Sequence, residues 1–211
     1  MARGKEAEER KKEILDAAEI LFARKGFDDT STNDILEEVG IARGTLYYHF
    51  ASKEDILDAV IERMTGQLLA GAKKITEDES LPILERLTKA MLCLNVQGPV
   101  GQELMAQMHK PQNALLHQKM QVQMVAGVVP ILTKLVEKGI RQGLFQTDYP
   151  AQATEMLMLY SDEAFDSLMP QSEEEKLLRI QGFIYHAERV LGAKQGVLQE
   201  AIFNIFRTIS E

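Results

Sequence analysis

Residues 30–53 read TSTNDILEEVGIARGTLYYHFASK, two short helical stretches joined by a glycine turn. Thr30, Ser31 and Thr32 supply hydroxyls at a helix start, and Asp34 follows Ser31 by three residues as in a capping box, so a helix is expected from Thr32. Gly40 stops that helix, and Ile41 and Ala42 bridge to a second. There Leu46 and Phe50 lie four apart and face inward, which leaves Arg43, Thr45, Tyr47 and His49 on the outer side. All four carry hydrogen-bond donors.

Donors on one face of a short helix suit duplex DNA, which offers phosphate oxygens and acceptor-rich base edges in a major groove wide enough for a helix. Gly44 costs a helix about 1 kcal/mol against Ala, and close approach of backbone to a phosphate or base is a reason to keep it. A surface helical hairpin without a ligand is the alternative.

The stretch from Ile14 to Leu57, ILDAAEILFARKGFDDTSTNDILEEVG continued by IARGTLYYHFASKEDIL, resembles the N-terminal domain of the TetR family of bacterial transcriptional regulators. The resemblance covers that family's first three helices and the start of the fourth. It implies that Arg43, Gly44 and Thr45 take base-facing positions and that Tyr47, His49 and Lys53 face phosphates. It also implies that Thr32 and Asn33 approach the backbone from the preceding helix and that Tyr48 serves either role. The chain departs from the family pattern at Leu36, usually Ala, at Val39, usually smaller, and at Ala42, often a hydroxyl residue.

Working outward, Ile14, Ala17, Ala18, Leu21 and Phe22 make one apolar stripe from about Lys12 to Lys25, ended by Gly26. Ahead lies MARGKEAEERKK, locally +2, read equally as a phosphate-touching arm or as a frayed, solvated terminus. On the other side, Ser52 and Asp55 form a second capping box. From it Ile56, Leu57, Val60, Ile61, Met64 and Leu68 carry an amphipathic helix toward Gly71, a natural rod between head and body.

The whole chain carries 24 basic and 32 acidic residues, net −8, and residues 1–55 alone sum to −4. Residues 40–53, however, contain Arg43 and Lys53 and no carboxylate. With a screening length of about 8 Å at physiological salt, that clean patch acts locally, and affinity for DNA should fall steeply with salt.

With 211 residues and 45% apolar content, the chain fits a small head, residues 1–51, and a larger body, residues 52–211. The expected fold class is all-α: an N-terminal three-helix helix-turn-helix domain and a C-terminal helical domain for effector binding and dimerisation. No membrane span or signal peptide is read, so a cytoplasmic location is expected. The single cysteine, Cys93, is expected to fill a core.

Breaks at Ser80 to Pro82, Gly98 to Pro99, Pro111, Tyr149 to Pro150 and Pro170 predict body helices near 81–96, 100–110, 112–142, 150–168, 173–191 and 195–209. Pro130 inside the long one should bend it and free the carbonyl of Ala126, a bend that serves either to wall a pocket or simply to wrap the core. Ten methionines suit an adaptable apolar cavity, and Met64, Met91, Met105, Met108, Met120 and Met124 are its candidate lining residues, with Met156 and Met158 also in the body. Tyr160 and Glu163, polar in an apolar helix, are candidates for the polar end of a ligand. His109 and His117 lack metal-ligand spacing, and neither metal nor cofactor is expected.

The helices near 150–168 and 173–191 carry more apolar surface than one buried stripe requires, which points to a twofold contact between two copies, with Gly182 giving room. Val197, Leu198, Ala201, Ile202, Ile205 and Phe206 form a stripe expected to close the core of each copy. GxSxG, P-loop and HExxH motifs are missing, so an enzyme is not expected. The reading is a homodimeric regulator, a repressor of a palindromic double-stranded operator, released by an unidentified small-molecule effector. The alternative is a helical interaction module or ligand-binding protein without specific DNA recognition.

Overall fold

Apolar residues spaced three and four apart set the helices of the computed structural model, which describes residues 2–94, 113–165 and 172–210. These residues hold nine helices and no strand: α1 (Ala2–Lys25), α2 (Thr32–Val39), α3 (Arg43–His49), α4 (Lys53–Glu77), α5 (Ile83–Cys93), α6 (Ala114–Arg141), α7 (Pro150–Phe165), α8 (Glu173–Val190) and α9 (Gln199–Ser210). The all-α class follows the sequence expectation. The helix expected near 100–110, with Met105, Met108 and His109, lies outside the described residues.

Two compact units divide the chain, one from Met1–Gly66 and Val96–Gln123, the other from Gln67–Asn95 and Met124–Glu211. Helices α4 and α6 each supply residues to both.

In the first unit, Ile14, Ala18, Leu21 and Phe22 of α1 pack with Ile35 of α2, Leu46 of α3, and Ile56, Leu57, Val60 and Ile61 of α4. Each such buried side chain contributes about 1.5–3 kcal/mol relative to exposure. Leu116 and Met120 at the start of α6 join the same core. Arg63 ties α4 to α1 through Asp16, at 2.6 Å, and Glu19, and Lys119 of α6 pairs with Asp58 of α4. The buried Asn113 Oδ1 accepts a bond from the Phe27 N–H at 3.1 Å, satisfying a backbone donor in the turn after α1.

Helix α1 begins at Ala2 rather than near Lys12, so the charged arm is helical. Its alternating charges fall at helical neighbour positions, Lys5 with Glu9 at 3.9 Å and Arg10 with Glu13 at 2.5 Å. Pairs at that spacing support a helix as readily as they decorate a solvated tail.

In the second unit, Ile83 of α5, Leu135 and Val136 of α6, Ala153 of α7, Ile180, Ile184 and Ala187 of α8, and Leu198 and Ile202 around α9 form the core. Helix α6 has 28 residues and is long and apolar enough to cross a membrane by length and composition. Its apolarity has a use inside the protein, since Leu116 and Met120 are buried in one core and Leu135 and Val136 in the other. Pro130 and Ala126 are both exposed, so the carbonyl that the proline cannot serve belongs to a solvent-facing residue. Buried charges in this unit are bonded to backbone: Glu188 Oε1 accepts from the Leu198 N–H at 3.0 Å, and Arg86 Nε donates to the Leu81 carbonyl at 2.7 Å.

Candidate nucleic-acid interface and effector cavity

Ser31 caps α2 as its sequence requires: its Oγ accepts from the Asp34 N–H at 3.1 Å and its own N–H donates to Asp34 Oδ2 at 2.7 Å. The Lys25 ammonium, 2.7 Å from Asp34 Oδ1, ties α2 to the end of α1. Together the Lys25 ammonium, then the Ser31 hydroxyl and amide, hold the Asp34 carboxyl well below the usual carboxylate range. Gly40 ends α2 in the left-handed region, φ 71°, with its N–H on the Leu36 carbonyl at 2.9 Å. Only two further residues, Ile41 and Ala42, separate it from α3, and Ala42 offers no side-chain cap.

Helix α3 is anchored by Leu46, with Phe50 just beyond its end, 1% and 6% exposed. Anchoring on that face turns Arg43, Gly44, Tyr47 and Tyr48 to solvent, with Thr45 and His49 half-buried between. Tyr48 is 79% exposed, a large apolar surface that the fold itself does not use. Its ring meets His49 edge-on at 5.0 Å. Arg43 Nη2 donates to Asn33 Oδ1 of α2 at 3.3 Å, a neutral partner, and among the described residues no carboxylate pairs with the guanidinium. Thr32 and Asn33 stand at the start of α2, Thr32 half-buried and Asn33 exposed.

Gly44 is informative by what does not surround it: a Cβ there would meet no described atom within 4 Å. Packing inside the described residues therefore does not require glycine at this exposed position.

Lys53, expected to face a phosphate, is turned inward. Its Nζ donates to the carbonyls of Phe27 at 2.8 Å and Thr30 at 2.9 Å, with that of Asp28 at 3.4 Å, and it sits 4.2 Å from the centre of the Phe27 ring. It holds the α1–α2 connection in place, so its contribution to the outer face is through the position of α2. Ser52 Oγ accepts from the Asp55 N–H at 3.0 Å, while the Asp55 carboxylate takes the Ala51 N–H at 3.0 Å, a cap shifted by one residue from the expected box.

The second unit holds a partly open apolar cavity of about 110 Å³. Met91 lines it, as expected. Met64 and Met120 do not, because both are buried in the first unit's core. Met124, half-buried on α6, is not among its lining residues. Tyr160 and Glu163 are exposed and face elsewhere, Tyr160 stacking on Phe183 at 5.9 Å. On α7 the inward stripe is instead Thr154, Leu157, Met158 and Ser161. That spacing of three, four and seven residues was the available signal.

Two stretches of the chain match known families. Residues 14–60 match the family described as bacterial regulatory proteins, tetR family, and residues 98–185 match the tetracyclin repressor-like C-terminal domain. The chain is 27% identical over 175 residues to the uncharacterized HTH-type transcriptional regulator YfiR of Bacillus subtilis, covering 80% of this chain and 84% of that one. It is 38% identical over 78 residues to the HTH-type transcriptional repressor KstR2 of Mycobacterium tuberculosis, a match that spans 37% of this chain and 38% of KstR2. The structure of RolR in complex with resorcinol has the same fold, with a TM-score of 0.61 at 16% identity over 97% of this chain and 96% of that one. A gamma-butyrolactone receptor gives a TM-score of 0.56 at 21% identity over 97% and 98%.

Proposed function

The chain belongs to the tetR family of bacterial regulatory proteins, and from that premise we propose that it is a DNA-binding repressor working as a homodimer on a palindromic operator. The observation that carries this reading is the outer face of α3: exposed Arg43, Gly44, Tyr47 and Tyr48, with no carboxylate between residues 40 and 53. Arg43, Gly44 and Thr45 would meet base edges, Tyr47 and His49 phosphates, and Thr32 and Asn33 the backbone beside them. Lys53 supports the face from behind.

Dimerisation is supported by exposed apolar residues on two helices of the second unit. Met156, Leu159 and Tyr160 on α7 are about half exposed, as are Leu177 and Tyr185 on α8, while Leu178 reaches 68%. A Cβ on Gly182 would meet no described atom within 4 Å, so among the described residues that stretch of α8 has room for a helix from a second copy. Two such helices from each copy make a four-helix contact with twofold symmetry, which sets one α3 per operator half-site.

An effector in the second unit would release DNA by favouring a conformation in which the paired α3 helices no longer match the half-site spacing, and affinity falls by the effector's preference for that conformation. Helices α4 and α6, which supply residues to both units, are the proposed route of communication. The cytoplasm is the proposed place of action.

Selection from random duplexes followed by gel shift tests the reading. A twofold-related sequence should be enriched, and Tyr47→Ala combined with His49→Ala should weaken its binding at unchanged thermal stability and oligomeric state. Full-strength binding by the double variant would remove the contact assignment.

A further inference from the structure

We propose that the effector is a neutral, apolar molecule about the size of one aromatic ring, held in the second unit's cavity; the inference rests on the regulator reading above. The volume, about 110 Å³, sets the size. A protein void of roughly 150 Å³ lined by aliphatic and aromatic side chains stays dry and accepts benzene. This cavity is somewhat smaller and similarly lined, with Leu132, Leu135, Phe145 and Phe183 among its walls.

The chemistry of the walls sets the class. Among the described residues no charged side chain lines the cavity. The unit's buried charges, Arg86 and Glu188, are committed to backbone atoms and are not part of the lining. Two hydroxyl residues do line it, but Thr154 Oγ1 donates to the Pro150 carbonyl at 2.7 Å and Ser161 Oγ to the Met158 carbonyl at 2.9 Å. Each hydroxyl proton is therefore engaged within its own helix. A carboxylate or ammonium entering this space would lose its hydration and meet, among the described residues, no opposite charge and no free hydroxyl donor. A neutral ring loses little on leaving water and gains contacts with three phenyl groups, Phe145, Phe183 and Phe206, and two thioethers, Met91 and Met158.

The test uses the full chain, with toluene as the neutral probe and benzoate and benzylamine as charged probes of similar outline. Toluene should raise the thermal midpoint and weaken binding to the selected duplex, while both charged probes bind at least roughly a hundredfold more weakly. Ser161→Leu and Ala187→Met each fill part of the cavity and should abolish the toluene shift with the circular dichroism spectrum retained; if one fails to fold, the other is read. Benzoate matching toluene, or toluene binding that leaves duplex affinity unchanged, overturns the proposal. So does the absence of any toluene shift. Duplex binding by the ligand-free protein, recorded in the same samples, fails only if the regulator reading fails, and the order of neutral over charged probes then still decides the chemistry of the cavity.

Discussion

Gly44→Ala separates the fold's demands from those of a nucleic-acid partner, because the two should respond in opposite directions. In the isolated protein the added methyl group enters open space, with no described atom within 4 Å, and Gly44 is not among the glycines with positive φ. Alanine then improves a helix of only seven residues. Its position near the helix start trims the usual propensity gain, leaving about 0.5–1 kcal/mol. For a chain of this size that corresponds to a rise in thermal midpoint of about 1–4 °C. In the proposed complex the same methyl group would occupy the space through which the backbone of α3 approaches the groove. Forcing an extra carbon into a close-packed contact typically costs about 1–3 kcal/mol, or roughly a five- to 150-fold loss of affinity. Calorimetry reads the first effect, and anisotropy titration of the selected duplex at fixed salt reads the second. A variant that is more stable and binds at full strength would refute the assignment of this face to DNA.

Lys53→Met removes the ammonium from the carbonyls of Phe27 and Thr30 and should destabilise the first unit by about 1.5–3 kcal/mol, seen in urea unfolding, whereas a phosphate-only role predicts unchanged stability and a smaller salt slope. Asp34, whose carboxyl is held below its ordinary value of 3.8, contributes stability that is present above about pH 4 and lost as pH falls toward its folded value; Asp34→Asn should flatten the acid limb of a stability profile, and an unchanged limb would contradict the Lys25 and Ser31 contacts. Leu178→Glu places a charge at the most exposed apolar site of α8 and should yield monomers of unchanged helicity in sedimentation, while persistence of the dimer would place the contact elsewhere. Asn113→Ala leaves the Phe27 N–H without its bond and should cost about 1–3 kcal/mol; a neutral result in the same unfolding assay would deny that bond any role.

Residues 30–50 were legible because the signals that start, stop and orient their helices are local. The Ser31 cap, the Gly40 stop and the spacing of Leu46 and Phe50 act over three or four residues, within reach of periodicity. Lys53 was not legible, because its partners lie at Phe27 and Thr30, 26 and 23 residues earlier, and only the packed fold brings them together. Methionine content could not assign Met64 and Met120 to a cavity or a core, since both environments are apolar and α4 and α6 each contribute to two units. On α7 Tyr160 and Glu163 stand out by polarity in an apolar helix, while the stripe that lines the cavity, Thr154, Leu157, Met158 and Ser161, lies on another face. The extent of α1 turned on charge pairs whose spacing serves a helix but which read equally as a solvated arm.

The most direct test of the account is the stoichiometry and sequence preference of the complex with duplex DNA. Selection from a random library, followed by sedimentation of the purified complex, should return a twofold-related sequence occupied by two chains, with affinity falling steeply as salt rises. A protein that remains a single chain and selects no duplex at low ionic strength would contradict it.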